Sequence, residues 1–142
     1  MKGVFWNSRG LEDLAKHRYL KDLVKAEQID FIALIETGRD QFPNGTLKKL
    51  SGGKEFIWHC MAPHGRSGGI LLGVDLTVFD IGSIDEGDFY VKFTLRTLHK
   101  KMTYSDAHKG DLQLSAVTPQ VKVTGFISAR HLGPVWGCTR TR

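Results

Sequence analysis

Phe31-Ile32-Ala33-Leu34-Ile35-Glu36-Thr37-Gly38 is a run of five apolar residues that stops on a carboxylate and a turn. Two isoleucines and no polar alternation read as a strand buried on both faces, the habit of a central parallel strand covered by other layers. Glu36, at its end, has two readings. It is a surface residue at a strand terminus, or it is the floor of a site at the carboxyl edge of a sheet, where open α/β folds place their ligands.

Upstream, Gly3-Val4-Phe5-Trp6-Asn7 reads as a short buried strand that also ends on a polar residue, and Ser8-Arg9-Gly10 turns the chain. Leu11, Leu14, Ala15, Tyr19, Leu23 and Val24 recur at helical spacing as far as about Glu27. Glu12 and Asp13 fall in the first turn, where acids suit the helix dipole. Strand, helix, strand in this length is a βαβ unit, whose strands are parallel and whose crossover is right-handed. Parallel strands end at the same edge, so Asn7 and Glu36 become neighbours at one rim. A lone asparagine there is a turn former. Beside Glu36 it becomes half of a polar site, since a carboxylate oxygen suits a hard divalent cation and an amide can hold a phosphate oxygen or an attacking water.

Downstream, Arg39 to Gly45 is a polar loop, Leu47 and Leu50 suggest a short helix, and Gly52-Gly53 ends it. Phe56-Ile57-Trp58-His59-Cys60-Met61, Ile70-Leu71-Leu72-Gly73-Val74, Val78-Phe79-Asp80-Ile81 and Phe89-Tyr90-Val91-Lys92-Phe93-Thr94-Leu95 read as strands at hairpin-like intervals. One βαβ unit leading into antiparallel strands makes a mixed sheet. Gly65-Arg66-Ser67-Gly68-Gly69 has the spacing of a serine hydrolase elbow, which needs a helix directly after the serine. A strand follows instead, and there is no Gly-Lys-Ser/Thr ending for a P-loop, so the segment reads as a tight turn. His59 with Cys60 has no second ligand pair at zinc spacing and reads as a packed strand.

The 142 residues, 41% hydrophobic and 25% charged, fit one globular domain. There is no apolar run long enough to span a bilayer and no basic-then-apolar leader. Cys60 and Cys138 do not form a disulfide framework. A cytosolic or nuclear protein, not a secreted one, is the expectation. The net charge of +5 is uneven: Met1 to Arg96 holds thirteen Lys and Arg against thirteen Asp and Glu, whereas Thr97 to Arg142 holds seven against two. A basic surface supports phosphate binding, but here the excess lies wholly in the tail and marks a boundary near Arg96.

Three segments in order carry a resemblance: Met1 to Leu11 (MKGVFWNSRGL), Asp30 to Thr37 (DFIALIET) and Gly65 to Gly73 (GRSGGILLG). They resemble the opening motifs of the endonuclease/exonuclease/phosphatase superfamily, and within it the endonuclease region of plant LINE-type retrotransposons. The resemblance runs from Met1 to about Arg96. It implies an α/β fold that is roughly the first half of a four-layer α/β sandwich with a mixed sheet, cutting nucleic acid, DNA in particular, with Mg²⁺ or Mn²⁺. It makes Glu36 the metal-binding glutamate and Asn7 the residue that arranges phosphate and metal shell, both catalytic. The metal would polarise the scissile phosphate and stabilise the leaving oxygen while another side chain activates water.

That other side chain belongs to the family's second half. Tyr104-Ser105-Asp106-Ala107-His108 and Gly110-Asp111-Leu112-Gln113 are superficially similar to its Ser-Asp-His and Gly-Asp-Phe-Asn motifs, but each is off by a residue and out of order. Alternation at Leu112, Leu114, Ala116, Val121 and Val123 suggests a hairpin, and Gly133 to Gly137 a loose end. The expectation is two regions, residues 1–96 as the amino-terminal half of the domain and 97–142 as a divergent basic tail from a shifted frame, aberrant splice or unrelated sequence. Such a chain would be inactive alone and would leave an exposed apolar sheet face; the alternative is a non-catalytic nucleic-acid-binding fragment using the tail. Reading the transcript across Arg96 checks the boundary: the expected outcome is a break there, and a continuous homologous frame would refute it.

Overall fold

The computed structural model describes residues 2–64, 68–88, 90–98, 122–128 and 136–137, the last two segments by their backbone. Strand β1 (Gly3–Asn7) leads into helix α1 (Leu14–Glu27), β2 (Phe31–Ile35), helix α2 (Asn44–Leu50), β3 (Phe56–Met61) and β4 (Ile70–Asp75). Then follow β5 (Phe79–Glu86), β6 (Tyr90–Thr97), β7 (Lys122–Ser128) and the two-residue β8 (Trp136–Gly137). These make two four-stranded sheets, ordered β1-β2-β4-β3 and β5-β6-β7-β8. The first is mixed: β1 and β2 are parallel, with Gly3 opposite Phe31 and Asn7 opposite Ile35, and β4 runs antiparallel to both β2 and β3.

The unbroken apolar run of β2 is explained by two cores. Ile32 and Leu34 point to the helical side, where they pack with Leu11, Leu20, Val24, Ile29, Leu50 and Leu71. Phe31 and Ala33 point the other way, where they pack with Ile70, Leu72 and Val74 and, from the second sheet, Phe79, Val91, Phe93 and Leu95. A strand read as central is therefore sandwiched between helices and a second sheet, which gives three layers, α/β/β. This is the mixed α/β architecture expected for part of a four-layer sandwich.

Helix α1 differs from the expected stripe. It begins at Leu14, because the Asp13 carboxylate accepts a hydrogen bond of 2.8 Å from the Ala15 N–H and caps the helix. Its buried positions are His17, Leu20 and Val24, whereas Leu14 and Tyr19 are 65% and 60% exposed. Leu11, ahead of the cap, still enters the core. His17 is tolerated on the buried face because its Nε2 hydrogen-bonds the Leu11 carbonyl at 2.7 Å.

The second sheet corrects a further expectation. In β6 the buried residues Val91, Phe93 and Leu95 alternate with exposed Tyr90, Lys92 and Arg96. On the outward side Asp80 lies opposite Arg96 and Asp85 opposite Lys92, opposite charges placed across neighbouring strands. Both helices of the described residues pack on the first sheet, and the exposed positions of β5 and β6 other than Tyr90 are polar or glycine, where an exposed apolar face was expected. The strand read as ending at Ile81 continues to Glu86 through a register shift between Ile81 and Ile84, since a bulge lets the chain keep pairing across Gly82-Ser83.

In the tail, β7 pairs antiparallel with β6, placing Leu95 opposite Val123. Trp136 and Gly137, expected in a loose end, are register partners of Gly125 and Thr124. Residues 112–121 of the expected hairpin, and the segments Tyr104 to His108 and Gly110 to Gln113, lie outside the described residues.

Gly73 sits opposite Trp58 on β3, and a β-carbon on it would come within 2.4 Å of the indole ring. The bare backbone is what lets the indole lie across β4. Gly73→Val is expected to lower stability by about 1–3 kcal/mol, the usual range for overpacking, as measured by urea unfolding.

Candidate functional site

The rim at the carboxyl ends of β1 and β2 contains both predicted residues. Asn7 is the last residue of β1 and is exposed; Glu36 follows the last residue of β2 and is half-buried. The register Asn7–Ile35 puts them at the same edge. Asn7 Oδ1 accepts a 3.1 Å hydrogen bond from the Arg9 N–H, an Asx turn that starts the Ser8–Gly10 bend. This contact occupies one lone pair of the amide oxygen and leaves the two Nδ2 hydrogens as donors for another group.

Glu36 has a left-handed backbone, φ 55°. For a residue with a β-carbon this costs about 1 kcal/mol or more, so something must hold it. The bend does. The Glu36 carbonyl accepts from the Gly10 N–H at 2.6 Å and from Ser8 Oγ at 3.3 Å. The Ile35 carbonyl just before it accepts from both the N–H and the Oγ of Ser8, each at 3.0 Å. The Leu11 N–H closes the hook on the Thr37 carbonyl at 3.2 Å. On the other side the Gly38 N–H donates to the Gly68 carbonyl at 2.7 Å. A β-carbon on Gly68 would lie 2.7 Å from Glu36 Cα and 3.2 Å from its Cγ. Gly68 therefore lets the chain pass flush against the glutamate stem.

The Glu36 carboxylate itself makes no hydrogen bond or ion pair among the described residues. Glu36 thus combines a half-buried carboxylate, unpartnered among the described residues, with a left-handed backbone anchored from two segments. The neighbouring Thr37 Oγ1 is fully buried and has no hydrogen-bond partner among the described residues. Ser8, Gly10 and Thr37 fall within the segments that carry the family resemblance, but the resemblance gives no role to any of them individually. The Ser8-Arg9-Gly10 turn is the one available signal, and it identifies a bend without saying what the bend would hold.

The donor set fits a hard divalent cation: one carboxylate and one amide oxygen, as Mg²⁺ accepts when it keeps most of its waters. Among the described residues no group of three or more His, Cys, Asp and Glu side chains comes together. His59 is accounted for otherwise. Its Nε2 pairs with Glu86 Oε1 of the second sheet. Cys60 is half-buried, and burial, then the nearby charges of Asp40 and Glu86, push its thiol up; a thiol so placed stays protonated and is a poor metal ligand. Ser67 lies outside the described residues. No helix among the described residues is long and apolar enough to cross a membrane.

No protein-family model matches the chain, and no curated protein matches it. Among solved structures, TDP2 from C. elegans matches over 68% of this chain and 31% of its own, with 18% identity and a TM-score of 0.45. ANGEL2, a 2′,3′-cyclic phosphatase solved with adenosine-2′,3′-vanadate, matches over 63% of this chain and 30% of its own, with 15% identity and a TM-score of 0.40. Both are members of the endonuclease/exonuclease/phosphatase superfamily. This chain spans about a third of the length of each. Likeness of that degree carries no assignment of activity.

The strain at Glu36 is separable from its chemistry. Glu36→Gly is expected to raise stability by roughly 0.5–1 kcal/mol through relief of the left-handed backbone, whereas Glu36→Ala, which keeps the β-carbon, gives no such gain. Urea unfolding of the two variants checks this, and equal midpoints would show that the backbone is not strained.

Proposed function

We propose that the chain carries the amino-terminal share of a divalent-metal-dependent phosphodiester hydrolase site, of the retrotransposon endonuclease type and acting on DNA. One observation carries the proposal: the Glu36 carboxylate is half-buried and, among the described residues, unpaired, on a left-handed backbone that two anchored segments hold. An unpaired acid on a relaxed surface loop would need no such support. Strain of this kind collects at ligand-binding positions, where the surrounding structure over-determines the backbone.

In this reading Glu36 and Asn7 hold Mg²⁺ or Mn²⁺, which when bound supplies Lewis-acid polarisation of a phosphoryl oxygen. Glu36 contributes the charged oxygen. Asn7 contributes its amide, whose Oδ1 keeps a second lone pair for the metal beside the Arg9 hydrogen bond and whose Nδ2 can donate to a phosphate oxygen. Ser8 and Gly10 fix the height of Glu36 at the rim through its carbonyl. Activation of the attacking water needs a base, and no group of three or more His, Cys, Asp and Glu side chains among the described residues offers one beside a metal site. In this reading the chain alone binds metal without turning over, because the segments similar to the family's base-bearing motifs are off by a residue and out of order. The tail's excess of seven basic residues over two acidic ones favours contact with a polyanion and keeps open a purely electrostatic DNA-binding role.

Titration of the full chain with Mn²⁺, followed by water-proton relaxation, is expected to show one site weakened about tenfold or more in Glu36→Gln, as loss of the charged ligand requires. No Mg²⁺-dependent nicking of supercoiled plasmid is expected from the same protein. Unchanged Mn²⁺ binding in the variant would remove the metal reading and leave the electrostatic one, and Glu36-dependent nicking would show the site to be complete.

A further inference from the structure

Helix α1 reaches into this rim through one side chain. Lys16 Nζ, part-buried, donates to the carbonyl of Ser8 at 2.7 Å and of Gly10 at 2.9 Å, with the Arg9 carbonyl at 3.4 Å. Three consecutive carbonyls of a bend thus converge on one ammonium, which has three donors and no acceptor. The bend they belong to contains two left-handed residues, Arg9 at φ 47° and Gly10 at φ 89°. Turning three carbonyls inward to one point crowds their negative ends together, and the ammonium is what makes that arrangement favourable. The same Gly10 whose carbonyl binds Lys16 gives its N–H to the Glu36 carbonyl.

We propose that Lys16 is a positioning residue of the rim: its ammonium locks the Ser8–Gly10 bend, and the bend in turn holds Glu36 in its left-handed conformation. The proposal builds on the reading of Glu36 as a metal ligand. The chain of contacts is continuous from Lys16 Nζ to the Gly10 peptide to the Glu36 carbonyl, without passing through the hydrophobic core. Lys16 touches neither the carboxylate nor Asn7 in any hydrogen bond, so it acts through the backbone alone. The alternative role for such a lysine is to stabilise the start of α1, but the helix is already capped by Asp13, and the ammonium turns away from the helix to the bend.

Lys16→Met and Lys16→Arg in the full chain test the assignment. The arginine variant keeps the charge but spreads its donors over a flat fork that does not converge three oxygens on one nitrogen. In both, exchange of the Gly10 amide hydrogen is expected to quicken about tenfold or more, the effect of losing charge-assisted hydrogen bonds under a local opening. Amides of Leu20 and Val24 in the helix should keep their protection. Lys16→Ala leaves a cluster of three carbonyls, and millimolar methylammonium is expected to slow Gly10 exchange again in that variant while leaving wild type unchanged. Mn²⁺ affinity should fall several-fold in Lys16→Met and recover in part in Lys16→Ala with methylammonium. Wild-type exchange at Gly10 in both variants, or an equal loss of protection along the whole of α1, would overturn the proposal. If wild-type protein binds no Mn²⁺, the metal reading alone fails, because the Gly10 measurements still decide whether Lys16 holds the bend.

Discussion

Gly3–Asn7 and Phe31–Ile35 run parallel and in register, and the rest of the structure depends on that pairing. A parallel pair needs a crossover, which α1 supplies, and the crossover brings the helix onto the face where Ile32 and Leu34 are buried. It also makes both strands stop at one edge. Because the strands stop together, the bend after Asn7 can reach the peptides after Ile35, and Ser8, Gly10 and Leu11 bond in turn to the carbonyls of residues 35, 36 and 37. The rim is therefore a continuation of the sheet by other means, with a hydroxyl and three turn amides replacing a regular ladder.

Much of this was legible in the sequence. An unbroken apolar run is readable because burial on both faces removes the polar alternation, and Phe31–Ile35 proved to be covered on one side by helices and on the other by a second sheet. The pairing of Asn7 with Glu36 at one edge followed from the length of the crossover. What escaped was everything that depends on where hydrogen bonds close. Glu36 is an ordinary helix-forming residue by propensity, and nothing local marks it as left-handed; the conformation is held by contacts from Ser8, 28 positions before it, and from the segment at Gly68. Lys16 was hidden for a related reason. A lysine on a helix reads as solvated, and only the folded bend shows three carbonyls waiting for it.

The helix stripe and the second sheet show two further limits of periodicity. In α1 the pattern admitted Leu14 and Tyr19 to the buried face, but capping by Asp13 and the hydrogen bond of His17 set a different phase. Local apolar spacing cannot weigh a single satisfied histidine against two exposed hydrophobic residues. In the second sheet the expectation of a bare apolar face came from analogy with a larger fold, and the residues say otherwise: alternation in β6 places Lys92 and Arg96 outward, opposite Asp85 and Asp80. Here the period-two pattern was the better guide, since a strand with one polar face is written for water or for a polar partner.

Packing of the cores and the arrangement of the rim are separate matters in this chain. The two cores are each closed by described residues: helices against the first sheet, and the first sheet against the second. Neither core needs the Glu36 side chain, and Thr37 Oγ1 is buried beside it without a partner. Folding alone gives no reason to place a strained, unpaired acid at a rim and then anchor it from two sides. The anchoring is the more informative half of that statement. A strained residue by itself is compatible with a poor turn, but the Ser8 hydroxyl, the Gly10 amide and the close approach of Gly68 act on the same residue from different segments. Independent contacts that converge on one unfavourable conformation define a position the fold fixes, and at Glu36 the thing so fixed carries a carboxylate that no described residue engages.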